Sequence, residues 1–202
     1  MGHFYNFNTH IKVIFSLFIS FLLFINITLK AEAVTYDEFI KLKKGEVLSK
    51  SLSKELKGNL KGAEAKIFIQ APPEKVWQVV NDQESLPKYV SRFKKIKIIE
   101  NKPNSQKVQV AIKFCPILPM FNYTILFDTS EKYKRVKFNK IEGAFKKLYG
   151  AYELEPYQNG TILHYKIYLD PGFYIPEFVR TNGVSKDLPE ILESIRSRIE
   201  NS

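Results

Sequence analysis

Hydrophobic residues follow three different spacings along this chain, and each spacing predicts a different kind of element. Val13 to Leu29, VIFSLFISFLLFINITL, is apolar almost throughout; Lys12 precedes it and KAEA follows, with Ala31 and Ala33 two positions apart. A basic start, an apolar stretch and a small-x-small ending read as a secretory signal peptide, residues 1–33. The competing reading is a retained membrane anchor, but Asn26 interrupts the run and its length falls short of the ~20 residues that span a bilayer comfortably. Residues 34–202 are then one exported domain, secreted or periplasmic, with N-terminal anchoring as the alternative. No cysteine follows the run to accept a lipid.

Beyond the leader, Thr35 is placed to cap a short helix, Glu38 completes a capping box, and Phe39, Ile40 and Leu42 give it an apolar side that ends near Gly45. Period-two alternation then predicts strands over Val47–Leu56 and Ala63–Gln70, with KGNLKG between them as a hairpin or bulged turn. In the second strand Ile67 and Ile69 alternate with Lys66, Phe68 and Gln70. Pro72 and Pro73 stop that strand and open a helix that buries Val76, Trp77, Val79 and Val80; a second short helix buries Leu86, Tyr89 and Val90. Six strand-like runs follow, from KIKIIE at Lys95 to TILHYKIYL ending at Leu169, and their short turns predict an antiparallel meander. Val108, Val110, Ile112 and Phe114 fall on one face, Lys107, Gln109 and Lys113 on the other. Helical spacing returns at Leu188, Ile191, Leu192, Ile195 and Ile199, in a terminal amphipathic helix that Pro176 opens and Pro189 kinks or restarts.

Only that terminal helix is long and apolar enough to cover so large a dry sheet face, so the pattern predicts an α+β fold in which a curved antiparallel sheet grips one helix. This order, and the stretches APPEKVWQVVND, GAYELEPYQNGTILHY and LDPGFYIPEFV, resemble the START-like superfamily that includes polyketide cyclases and coenzyme Q-binding proteins, above all its exported members. The resemblance extends over nearly all of the chain beyond the leader. It implies the helix-grip fold and a deep pocket between sheet and C-terminal helix, open where loops meet the start of that helix. It is less specific for activity, because the superfamily hosts lipid carriers, hormone receptors and cyclases alike.

Strand alternation assigns the pocket wall. Tyr152 and Leu154 share a face, Leu163, Tyr165, Ile167 and Leu169 share the matching face of the next strand, and Tyr149, His164 and Tyr168 point outward with Tyr157 in the turn. The candidate ligand-binding set is Trp77, Val110, Ile112, Phe114, Tyr123, Ile125, Tyr152, Leu163, Tyr165, Ile167, Phe178 and Leu192. An inward tyrosine needs a partner for its hydroxyl. That partner is either another core group or the polar end of a ligand.

Composition narrows the chemistry. The chain is 45% hydrophobic and 26% charged, as suits a domain with a real core. Cys115 is its only cysteine, so neither an internal disulfide nor a thiolate metal site can form, and His164 is the only histidine beyond residue 33. With that histidine outward, no Ser-His-acid or Cys-His arrangement is expected, and no metal or cofactor is implied. Asp128 and Arg180 are the charged candidates near the expected mouth should cyclase-like chemistry operate there. The net charge of +10 has its basic residues in clusters, Lys41 with Lys43 and Lys44, Arg92 with Lys94 and Lys95, and Lys132 to Lys137. For an exported protein the fitting anionic partner is a membrane leaflet rather than nucleic acid. The sequence therefore points to a non-catalytic carrier of an apolar small molecule such as a lipid, isoprenoid or quinone. A cyclase or dehydratase acting on an aromatic or polyketide substrate, and a basic membrane-surface module, are the alternatives.

Overall fold

Each strand of the meander has one face that must leave water, and the way those faces are covered decides the architecture. The computed structural model describes residues 34–52, 59–175 and 186–201, and those from Tyr36 onward belong to one unit. Along the chain run α1 (Tyr36–Lys43), β1 (Leu48–Ser51), β2 (Lys61–Ile69), α2 (Pro73–Asn81), a 3-10 segment (Gln83–Lys88) and β3 (Phe93–Lys102). Then follow β4 (Ser105–Ile112), β5 (Phe121–Glu131), β6 (Arg135–Gly143), β7 (Lys147–Tyr157), β8 (Gly160–Asp170) and α3 (Leu188–Glu200). The strands make one sheet in the order β1-β2-β8-β7-β6-β5-β4-β3, antiparallel throughout. The fold is thus the α+β helix grip, a curved antiparallel sheet against a C-terminal helix. Register shifts interrupt the β3–β4 and β5–β6 pairings, the kind of irregularity that bends a sheet. At Gly150 a Cβ would stand 2.1 Å from the Lys166 carbonyl oxygen and 2.5 Å from Phe138 Cζ, so the bare backbone makes room for the Phe138 ring.

The helix does not sit over the middle of the sheet. It packs on β2, with β1 and β8 beside it, and on α2. Leu192, Ile195 and Ile199 bury that contact, as the helical spacing predicts. Arg196 Nη1 donates to the Gly45 carbonyl at 3.0 Å, and Arg198 pairs with Asp82 after α2, so both flanks of the helix are tied down. Pro189 stands in the first turn of α3, where its missing N–H costs nothing, and does not kink it. No helix among the described residues is long and apolar enough to cross a membrane.

Three details differ from the alternation pattern. Both faces of β2 are buried, because α1 covers its convex side: the Phe39 ring meets Phe68 edge-on at 5.8 Å and Tyr157 at 4.4 Å, and Lys66 reaches Glu38 at 3.6 Å. His164 is on the convex side as expected but is not a solvated residue; its Nε2 lies 3.2 Å from Glu64, which Lys50 also engages at 2.8 Å. Burial works against charge on Glu64, but Lys50, His164 and Lys166 together hold its pKa below the ordinary value, while burial lowers that of His164. Tyr89 is exposed, with the Arg198 guanidinium 5.0 Å from its ring, because the segment forms a tight 3-10 turn that presents Gln83, Leu86 and Val90 inward. The leader at 1–33, the end of the strand expected over Val47–Leu56 with the first two residues of the KGNLKG turn, and the helix opening at Pro176 lie outside the described residues.

Candidate functional site

With α3 seated over β2, α2 against β7 and the 3-10 segment against β3, the concave faces of β4 to β6 are left largely without a helix directly against them. A cavity of about 920 Å³ occupies that space. Its floor is the alternating apolar face of the meander: Val110 and Ile112 from β4, Ile125 and Phe127 from β5, Phe138 from β6 and Ile167 from β8. Its roof is thin. Leu188 and Ile191 from the first turn of α3 and Gln83 and Leu86 from the 3-10 segment reach over it. A space of this size, walled mainly by hydrocarbon and aromatic rings, suits an apolar molecule of lipid-like dimensions.

The wall opens at one end of the sheet, where β4 ends, β5 and β7 begin and β8 leads toward α3. Phe145 sits on the β6–β7 loop with φ of 74°, a left-handed conformation unusual for an aromatic residue, and its ring is nonetheless buried on the cavity wall. It contacts Phe114, Phe121 and Tyr123 at 6.1, 5.3 and 5.3 Å. Phe173, just past β8, stacks on Phe121 at 5.3 Å and 10° and joins the two loops across the opening. Tyr174 beside it is 84% exposed and still lines the cavity, so the space reaches solvent there.

Deeper in, three tyrosines converge. Tyr152 and Tyr165 are directly paired across β7 and β8, and their rings stack at 4.4 Å and 8°. The Tyr152 and Tyr165 hydroxyls hydrogen-bond to one another, which explains how they are satisfied in an apolar wall. Burial pushes the pKa of Tyr123, Tyr152 and Tyr165 upward, so all three stay protonated.

Charge enters the wall at Lys61, which opens β2, and at an ion pair. Arg92, preceding β3, forms an ion pair with Asp187, preceding α3, and both line the cavity. Burial raises the Asp187 carboxyl to about 6, even though the neighbouring guanidinium pulls the other way.

Of the candidate residues, Val110, Ile112, Phe114, Tyr123, Ile125, Tyr152, Tyr165 and Ile167 all line the cavity. Trp77, Leu163 and Leu192 do not. Trp77 meets Tyr133 of the β5–β6 turn edge-on at 5.9 Å, at the end of the sheet opposite the mouth. Leu163 and Leu192 are fully buried in the packed core under α3, where β2, β8 and the helix leave no space. Period alone could not distinguish these because cavity wall and packed core lie on the same sheet face. Phe178 lies outside the described residues, as does Arg180. Asp128 is not near the mouth: it stands late in β5, where it accepts the Ser130 backbone N–H at 3.0 Å. The charged residues at the cavity are instead Lys61, Arg92 and Asp187. The sequence groups Arg92 with Lys94 and Lys95, and a basic run says nothing about which member turns inward. The one signal for Asp187 was its position just before the Leu188-Pro189-Glu190 helix start. Among the described residues no cluster of three or more His, Cys, Asp or Glu is arranged to hold a metal.

The family model for polyketide cyclase / dehydrase and lipid transport proteins matches residues 69–196. No curated protein matches the chain in sequence. Among solved structures, a STAR-related lipid transfer protein from Xanthomonas axonopodis superposes with a TM-score of 0.66 at 14% identity, covering 76% of this chain and 93% of that one. The lipid transfer and protein localization domain of human StarD13 gives 0.60 at 16% identity, covering 81% and 93%. The Zhui aromatase/cyclase from Streptomyces gives 0.56 at 16%, covering 69% and 96%. At these identities the likeness is one of fold.

Proposed function

The chain belongs to the polyketide cyclase / dehydrase and lipid transport family, and from that premise we propose that it carries an apolar small molecule, of lipid, isoprenoid or quinone type, and releases it unchanged. The observation that supports this reading is the mouth-open cavity of about 920 Å³ with its aliphatic and aromatic floor. Desolvating an apolar ligand there stabilises it by roughly 25 cal/mol per Å² of its surface, without any directed chemistry. Native mass spectrometry of freshly purified protein, followed by solvent extraction, is expected to recover such a molecule intact. A chemically altered product after incubation with aromatic or polyketide-like compounds would favour the cyclase reading, which the protonated tyrosines and the Arg92–Asp187 pair at the wall support. An empty protein that also takes up no apolar probe would dispose of both.

The carrier works, in this reading, at an anionic membrane surface, and residues 1–33 direct its export. The rim supports the first part: Ile117 is 86% exposed and Met120 is exposed on the β4–β5 loop, which Lys113 begins, and Tyr174 is exposed one residue past Phe173, whose ring stacks on Phe121, with Lys146 packed by Gly172. Apolar tips with flanking lysines suit a leaflet, each nearby lysine adding about 1 kcal/mol at an anionic surface. Sedimentation with phosphatidylglycerol-containing vesicles is expected to show binding that falls several-fold by about 0.5 M salt and in an Ile117→Asp, Tyr174→Asp variant. Equal binding to neutral vesicles, or binding indifferent to both changes, would remove the membrane from the proposal.

A further inference from the structure

Polar groups in an apolar wall are normally satisfied by the protein itself. Here most are: Tyr165 and Tyr152 serve one another, and Gln83 donates from its amide to the Val80 carbonyl. Three buried side-chain atoms among the described residues have no hydrogen-bond partner, Arg92 Nη1, Asp187 Oδ1 and Gln106 Oε1. Gln106 is not on the cavity wall; Arg92 and Asp187 are. Their two charged groups touch through Arg92 Nη1 and Asp187 Oδ2, but the contact lacks hydrogen-bond alignment at Nη1 and leaves Oδ1 unused. Nor is that oxygen spent on the helix. Asp187 stands where a capping residue belongs and its side chain makes no capping bond to α3. Asp187 is only 9% exposed, so solvent does not supply what Oδ1 lacks, and none of the described residues does.

Resting on the cavity reading above, we propose that this pair is the anchor for the ligand's polar end, and that the end it selects is uncharged and carries a hydroxyl. The chemistry follows from the two idle atoms. Oδ1 accepts only and the guanidinium donates only, whereas a hydroxyl does both and completes the two at once. Leaving a buried donor or acceptor unmade is costly, so a ligand that meets both recovers that loss on binding. At the pair itself a head with a full negative charge gains from Arg92 what it loses to Asp187 a few ångströms away, and a cationic head meets the reverse balance, while Lys61 lines the cavity from the start of β2. An alkyl halide or hydrocarbon of the same length fills the apolar floor but leaves both atoms as they were. The pair sits at the mouth, between the starts of β3 and α3, so the hydroxyl end of a bound molecule faces the opening and its tail lies on the β4 to β8 floor.

The test is displacement of the uncharged fluorophore N-phenyl-1-naphthylamine from the full chain at pH 8 by four ten-carbon probes, 1-decanol, decanoate, decylammonium and 1-chlorodecane. The alcohol is expected to compete at least about fivefold better than the acid or the amine. In an Arg92→Met, Asp187→Leu variant the fluorophore still binds, and the advantage of decanol over chlorodecane shrinks by at least about fivefold relative to the parent. Should that variant fail to fold, Asp187→Asn serves: with the countercharge removed, Arg92 is expected to shift preference toward decanoate. The anchor is overturned if the fluorophore binds and the ranking of the four probes is the same in parent and variants. If the parent binds no fluorophore, the cavity reading itself fails and the anchor falls with it.

Discussion

Leu192→Ala is expected to lower the free energy of unfolding by about 3 kcal/mol while leaving uptake of N-phenyl-1-naphthylamine within about twofold of the parent. Leu192 has no exposed surface and packs in the core formed where α3 meets β2 and α2. Truncation there removes its transfer free energy and leaves a void that a sheet strapped by β1, β2 and β8 cannot close. For a domain of this size the loss corresponds to a melting temperature lower by roughly 6–12 °C. The measurement pairs a denaturant titration with a probe titration under conditions where the variant is still folded. A variant of parental stability that no longer takes up probe would place Leu192 on the cavity wall and refute the packing described for α3.

The opposite outcome is expected when the cavity is filled instead of the core emptied. Val110→Trp together with Ile167→Trp introduces two indole rings from β4 and β8, strands well separated in the sheet, into the same space of about 920 Å³. Both positions face the cavity, so the rings enter open volume and avoid the strain that extra carbon causes in a close-packed interior. Probe affinity is expected to fall at least about tenfold, about 1.4 kcal/mol, with unfolding free energy changed by less than about 1 kcal/mol. Destabilisation by several kcal/mol would mean that these side chains already touch neighbours on every side, and the carrier proposal would lose its cavity.

Taken together the two variants separate residues that strand and helix periodicity treat as equivalent. Leu163 and Tyr165 share a face of β8, and so do their neighbours across β7, Leu154 and Tyr152. Yet Leu163 is under the helix while Tyr165 lies on the cavity wall. The difference arises from where α3 comes to rest, which depends on contacts with α2 and on the ties from Arg196 to Gly45 and Arg198 to Asp82. None of these pairs is close in sequence. The same holds for Arg92 and Asp187, more than half the domain apart along the chain, and for Phe145, whose ring enters the wall only because its backbone takes a left-handed turn.

Local spacing by itself determined the strands of the meander, the amphipathic face of the terminal helix, the inward setting of Tyr152 and Tyr165, and hence the helix-grip class. Those features depend on the period with which side chains leave a strand or helix, and a period can be read residue by residue. Tertiary structure alone decided how much of the sheet the helix covers, which buried residues border empty space, and which charged side chains meet at its mouth. Volume and ion pairing depend on distances between segments far apart in the chain, and alternation carries no record of those distances.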